Sequence, residues 1–401
     1  MYGFIAGSFE AAIVFRLFRS VSMVTVMYTV LYAVLYLAFV SGSLLLRHGQ
    51  SSKVLRADLS IQALLSLFVV ICFPLLGNPW ILAILFASRG CSEGLYWSVR
   101  HPTILVLIPD SRRDAWALRL QVLTVILNVV LPALAGFAIS RLMPDIPLIS
   151  GDGTVNLLLP PGYRMVFAFA AFCALASMVA APVIRIPPQR LELKRIVAAR
   201  KTVGADPLVG GILVSAPIVL CTNVGAGILN FLILRTEFNI GLFTSWIALS
   251  SALFFALIRR VLKNKQVNRL PPVFIGIAGD TSARVLYGLA QSLPGLVGKA
   301  ILDSFVVPLR GIFGDNIYRQ SSERVARKAG LSLTETFVFS ESLYMASRAL
   351  VIVILLSALA LGASQRVEIL AGALLLATAP LAFCEFFFLR AMQKSDRSES
   401  A

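Results

Sequence analysis

Long apolar runs alternate with short polar gaps along the chain. The runs lie near 20–47, 57–76, 79–99, 115–140, 164–184, 208–234, 239–258, 270–290, 293–317, 335–361 and 368–389. Most reach the ~20 apolar residues that a helix needs to cross a bilayer core. The pattern therefore predicts an all-α polytopic membrane protein. A shorter first segment, Phe4–Phe18, is broken by Glu10 and Arg16. It predicts a tilted or incomplete first span, or a start upstream of Met1. Counting it gives about twelve transmembrane helices.

The gaps carry charge in alternation. Residues 47–56, 100–114, 185–206, 259–269 and 318–334 are rich in Lys and Arg. Gly77-Asn78-Pro79 has no charge, and 141–163 sets Arg141 against Asp145 and Asp152. Positive loops stay on the cytoplasmic side. The alternation thus predicts a multi-pass protein of the cell inner membrane with both termini cytoplasmic.

The basic segment 186–206 contains Pro187-Pro188, and its Leu191–Arg200 portion reads as an amphipathic helix on the membrane surface. It divides the chain into an N-terminal bundle, 1–185, a cytoplasmic linker, 186–206, and a C-terminal bundle with a cytoplasmic tail, 207–401. One constant shift along the chain places Arg19 on Arg235, Arg47 on Lys263 and Gln50 on Gln266. Two parallel six-helix halves related by an axis along the membrane normal are a transporter signature.

Composition narrows the chemistry. Apolar residues make up 58% of the 401, and mean hydropathy is +0.84, too apolar for a soluble domain. The net charge of +16 sits in loops that face anionic lipid, without an aromatic-basic stripe, so no nucleic-acid partner is expected. All five cysteines fall within apolar runs, and the two histidines, His48 and His101, lie at predicted cytoplasmic ends. Neither a disulfide framework nor a metal site is expected. The chain has no Walker A loop, Gly-x-Ser-x-Gly elbow, His-Glu-x-x-His or Cys-x-x-Cys, so it is read as neither an ATPase nor another enzyme, and no cofactor is expected.

The loop after the second span reads Gly42-Ser43-Leu44-Leu45-Leu46-Arg47-His48-Gly49-Gln50-Ser51. It resembles the G-x-L-x-D-R-x-G-R-K loop of the major facilitator superfamily at Gly42, Leu44, Arg47 and Gly49. The family's acid is Leu46 here, and its two terminal basic positions are Gln50 and Ser51. In the family that loop latches the halves by charge, so the resemblance implies a weakened latch. The fifth span resembles a degraded form of an exporter-associated G-x-x-G-P-x-x-G-G pattern, matching it at Pro132 and Gly136. The resemblance covers essentially the whole chain. It implies two bundles rocking about a midplane cavity lined by the first, fourth, seventh and tenth spans.

Ionisable groups inside spans are costly and mark pathways or partners. The cavity candidates are Arg89, Glu93, Tyr96 and Trp97 of the fourth span and Lys299, Asp303 and Arg310 of the tenth. Asn223 of the seventh and Glu10 of the first join them. Arg89–Glu93 and Lys299–Asp303 are each four residues apart and share a helix face. Each pair reads as a cavity-lining proton site or as a static ion pair, and Arg100 as a lipid-headgroup anchor. Asp280–Arg284 and Glu341–Arg348 read as structural pairs, and Glu385 as a neighbour of Arg390.

The functional expectation is a proton-coupled secondary transporter, acting as a monomer, that exports a small amphipathic or anionic molecule by alternating access. Its partners are then a small-molecule or peptide substrate, protons and membrane lipid. A second reading is a membrane protein of a peptide-toxin or natural-product pathway, of the trifolitoxin type, serving maturation, export or self-immunity. A third is a degenerate facilitator that binds without transporting, prompted by Leu46.

Overall fold

A computed structural model describes residues 10–72, 75–141, 146–149, 155–159, 162–181, 186–262, 268–360 and 367–400. The N-terminal half contains α1 (Glu10–Phe18), α2 (Val21–Leu46), α3 (Ser51–Ile71), α4 (Pro79–Leu107), α5 (Asp110–Arg141) and α6 (Gly162–Met178). The linker forms α7 (Leu193–Val203). The C-terminal half contains α8 (Pro207–Leu234), α9 (Glu237–Leu262), α10 (Leu270–Ala290), α11 (Leu293–Leu309), a π turn (Arg310–Gly314), α12 (Asp315–Ala329), α13 (Leu333–Ala360) and α14 (Val367–Ser400). Helices are the expected solution because lipid offers no partner for an open backbone.

One feature departs from the all-α expectation. Residues 146–149 and 155–159 pair as an antiparallel hairpin, β1 and β2, with Ile146 opposite Leu159. Its strands are short apolar runs in the sequence.

Helix starts are written locally. Asn78, Asp206 and Ser292 cap α4, α8 and α11 through side-chain oxygens that accept from backbone N–H groups, and a proline follows within two residues of each. Among the described residues, α2, α3, α8, α13 and α14 are long and apolar enough to cross a membrane. Exposed Leu64, Ile71, Phe172 and Leu253 belong to an outer surface that lipid would cover. The protein is a multi-pass membrane protein.

Packing repeats between the halves. In the first, α2 packs on α4, α3 on α4 and α3 on α6; in the second, α9 packs on α11, α10 on α11 and α10 on α14. The halves meet through α2 with α13, α5 with α9 and α1 with α8. Corners related by the sequence shift match in backbone detail. Arg19 (φ 49°) and Arg235 (φ 62°) both adopt the left-handed conformation, and their N–H groups donate to Phe15 and Phe231. Those phenylalanines, related by the same shift, pack edge-to-face with centroids 6.0 Å apart. Lys263 and Gln266, the other members of the repeat, lie outside the described residues, as does the side chain of Glu10.

Candidate functional site

Where α2, α8 and α13 converge, aromatic and charged groups gather between the halves. The Arg348 guanidinium lies over the Tyr32 ring at 4.4 Å and over Tyr344 at 5.3 Å, and donates to Glu341 at 3.2 Å. Asn223 donates to the Tyr32 hydroxyl at 3.3 Å, and Tyr36 shares a hydrogen bond with Ser342 at 3.0 Å. Arg348 Nε and Thr222 Oγ1 are buried without a hydrogen-bond partner among the described residues. Sequence reading had treated Glu341–Arg348 as an ordinary structural pair and passed over the tyrosines. The overlooked signal was the Tyr28, Tyr32, Tyr36 stripe at helical spacing on α2.

Both predicted i,i+4 pairs are formed. Arg89 donates to Glu93 through Nε at 2.9 Å, and Lys299 pairs with Asp303. Each pair has an acid of the preceding span within electrostatic reach. For Glu93 this is Asp58 of α3, which accepts from Ser92 at 2.5 Å and Gln62 at 2.8 Å. For Asp303 it is Asp280 of α10. Each pair leans on groups of its own half. Helix packing explains the fourth-span placement. A Cβ on Gly90 or Gly94 would collide with the backbone of α2, so this small-xxx-small face draws α4 against α2.

Arg310 has a different setting from the one expected. It bridges Asp280 and Glu385, at 2.5 Å each, joining the π turn to α10 and α14. Two carboxylates already match its charge. Glu385, expected near Arg390, instead pairs with Arg310 and accepts from Tyr318 at 3.4 Å. Asp280–Arg284 forms as expected.

The halves also touch at both ends. At the end predicted to be cytoplasmic, Arg113 of α5 makes a two-pronged pair with Glu323 of α12, at 2.6 and 3.0 Å. His101 stacks between Trp97 of its own helix and Phe337 of α13, at 5.0 and 4.9 Å. At the other end Phe15 meets Phe231, and Phe137 meets Phe238 at 6.3 Å. A Cβ on Gly241 of α9 would strike the Pro132 carbonyl and approach Gly136, so these three residues set the close crossing of α5 and α9. Away from that crossing a partly open cavity of roughly 220 Å³ lies between α4, α5, α9 and the π turn, with Arg100, Asp315 and Arg319 in its wall.

No protein-family model matches the sequence, and no curated protein sequence matches it. Solved structures do match over nearly the full length. Against a proton dependent oligopeptide transporter the TM-score is 0.63 at 10% identity, covering 98% of this chain and 96% of the other. Against the Escherichia coli fucose:proton symporter FucP it is 0.61 at 10% identity, covering 97% of each. Against the nucleoside transporter NupG it is 0.60 at 12% identity, covering 98% and 96%. The fold is that of the major facilitator superfamily.

The facilitator loop motif can now be placed. Gly42 is buried where a Cβ would overlap the Ser98 hydroxyl of α4. Leu46, at the family's acidic position, is 0% exposed and packs with Val54, Leu95, Val99 and Ile186. Arg47 caps α2 and is exposed, and Gly49 takes the left-handed conformation (φ 68°) with Pro188 against it. The loop's partner is the linker. Gln189 N–H donates to the Leu46 carbonyl at 3.1 Å, and Ile186 N–H donates to the Ser51 hydroxyl at 3.3 Å. The same linker is tied to the C-terminal half. Glu335 is fully buried, accepts from Glu192 N–H at 2.9 Å, and closes a capping box with Ser332.

Arg324 was counted only as one charge of a basic gap. It is buried between Asp206 at 2.8 Å and Asp396 at 2.5 Å, and clamps α12 to the start of α8 and the end of α14. Sequence spacing holds no signal for a triad drawn from three separate helices.

Proposed function

We propose that the chain is a secondary active transporter in which two six-helix bundles alternate access to the polar seam between α2, α8 and α13. One observation carries this reading. The halves repeat the same internal pairings, and the contacts between them include separate sets at the two ends, Arg113–Glu323 with His101–Phe337 at one and Phe15–Phe231 with Phe137–Phe238 at the other. Alternating access requires one set to open while the other holds. Proton coupling with export of a small amphipathic or anionic molecule is the finer form of the proposal. The titratable groups of the two i,i+4 pairs support it, and Glu93, with its side chain 30% exposed, is the leading carrier. The protein would sit as a monomer in the inner membrane with both termini cytoplasmic, as the basic gaps imply.

The test is a flux assay in proteoliposomes across a compound panel, with and without a proton uncoupler. Uncoupler-sensitive movement of at least one compound is the expected result. Glu93→Gln should lower it and flatten its pH profile while leaving the unfolding temperature unchanged. Flux that ignores the uncoupler and the Glu93→Gln change would remove the coupling role.

A binding protein that does not transport is the second reading, favoured by the apolar burial of Leu46 in place of the family's acid. Ligand binding without flux across the whole panel would select it.

A further inference from the structure

The cavity beside the π turn has a wall of unusual make-up. Arg100 enters from α4, Trp116 and Leu120 from α5, Ser251 from α9, and Val307, Gly311, Asp315 and Arg319 from around the π turn. One cation in that wall makes no salt bridge among the described residues. The Arg100 guanidinium lies 4.6 Å from the Trp97 ring centroid and 5.5 Å from that of Tyr96. These aromatic faces orient it. Asp315 is within electrostatic reach, but Arg100 has no hydrogen-bond acceptor and no ion-pair contact among the described residues. A guanidinium offers five N–H donors in a fixed fork suited to a carboxylate or phosphate. Across the cavity, Arg319 donates to Asn316 Oδ1 at 3.0 Å and lies 3.9 Å from Asp315, whose side chain is 65% exposed. Counting formal charges, the two arginines and one aspartate leave the wall with an excess of one positive charge.

The other side of the wall is apolar, formed by Trp116, Leu120, Val307, Pro308 and Ile312. A Cβ built on Gly311 meets nothing within 4 Å. Its φ is not in the left-handed region, so neither packing nor backbone conformation demands a glycine there. What glycine provides is space. The cavity, near 220 Å³, is smaller than the 300–1,000 Å³ or so typical of sites that enclose a whole drug-sized ligand. It suits a head group and the first carbons of a tail, with the rest of the molecule emerging from the open side.

We propose that this cavity binds the anionic head of an amphipathic molecule, with Arg100 and Arg319 taking the charge and Trp116, Leu120 and Val307 the first carbons of the tail. As a statement about substrate it rests on the transport reading; as a statement about binding it does not. Arg100, expected from sequence to anchor outward to lipid headgroups, is thereby assigned to a site between the halves. A bilayer phospholipid and a free amphiphile present the same chemistry to it.

The test uses the full chain in phosphatidylcholine nanodiscs, titrated with octyl phosphate and followed by tryptophan emission, with empty discs subtracted. Octyl phosphate should bind at least tenfold more tightly than octanol or inorganic phosphate. Arg100→Gln should weaken it about tenfold, the loss of one charge-assisted contact. Gly311→Leu starts from a position where a Cβ meets nothing within 4 Å, so it should fill the cavity and abolish binding, with the unfolding temperature checking that the fold is kept. Arg319→Gln serves as a second charge variant. Adding phosphatidylglycerol to the discs separates the sources. Competition with octyl phosphate in the wild type identifies a bilayer lipid as the resident, and its absence identifies a free solute. Binding that is equal for octanol, or that survives both Arg100→Gln and Gly311→Leu, overturns the proposal. Because binding is read without flux, a protein that binds octyl phosphate but transports nothing refutes the transport reading alone.

Discussion

Arg113–Glu323 is the contact whose loss should shift the protein between states. Arg113 extends from the start of α5 and Glu323 from α12, so the pair crosses between halves. The Arg113 side chain is 4% exposed and that of Glu323 is 22%. Breaking a fully buried pair costs about 3–5 kcal/mol, because one charge is left stranded. Exposed pairs are worth about 0–1 kcal/mol. This pair lies between those limits, and its two-pronged geometry favours the upper part of the range. We take about 2 kcal/mol for Glu323→Gln, which is close to a 30-fold change in an equilibrium at 1.4 kcal/mol per decade. If this end is closed in a ratio of about 99:1, the variant would fall to roughly 3:1, with about a quarter of molecules open. Spin labels on Arg112→Cys and Arg327→Cys, both exposed sites flanking the pair, would report the opening as a new long-distance population. The swap Arg113→Glu with Glu323→Arg should restore most of the closed state. Restoration will be incomplete, because Arg113 Nε also donates to the Ile108 carbonyl at 3.0 Å. An unchanged distance distribution in Glu323→Gln, or a double-mutant coupling below about 0.5 kcal/mol, would refute the reasoning.

Placing the family's acid at this position with Leu46→Asp should lower the unfolding temperature and give no gain in function, because the carboxylate would enter the apolar cluster of Val54, Leu95, Val99 and Ile186; thermal unfolding checks this, and a stabilised variant would contradict it. Arg324→Met should destabilise by about 3–5 kcal/mol, since Asp206 and Asp396 are left as uncompensated buried carboxylates. The triple change Arg324→Met, Asp206→Asn, Asp396→Asn should recover much of that loss in denaturant titrations. For topology, Lys53→Cys and Thr236→Cys, each in a cysteine-free background, should react with impermeant maleimide from opposite sides of the membrane; labelling from the same side would reverse the orientation assigned to one half.

Much of the architecture was present in the order of residues. Apolar run length is a local property, and a bilayer leaves the helix as the available backbone solution, so the spanning helices α2, α3, α8, α13 and α14 could be read one by one. Arg19 and Arg235 recorded the repeat for the same reason, each marking the end of a helix at equivalent places. The i,i+4 pairs Arg89–Glu93 and Lys299–Asp303 were also legible, because helix geometry alone brings them together. Tertiary structure decided the rest. Arg348 became part of a seam through Tyr32, contributed by a helix of the opposite half. Arg310 was claimed by Asp280 and Glu385 from two other spans, and Arg324 by two acids at opposite ends of the C-terminal half. A side chain's charge is written in the sequence, but its partner depends on which helix faces turn toward each other. That choice is made by close packing of small residues such as Gly90, Gly94 and Gly241 against neighbouring backbones; the Gly90–Gly94 spacing marks a close-packing face but does not name the helix that meets it.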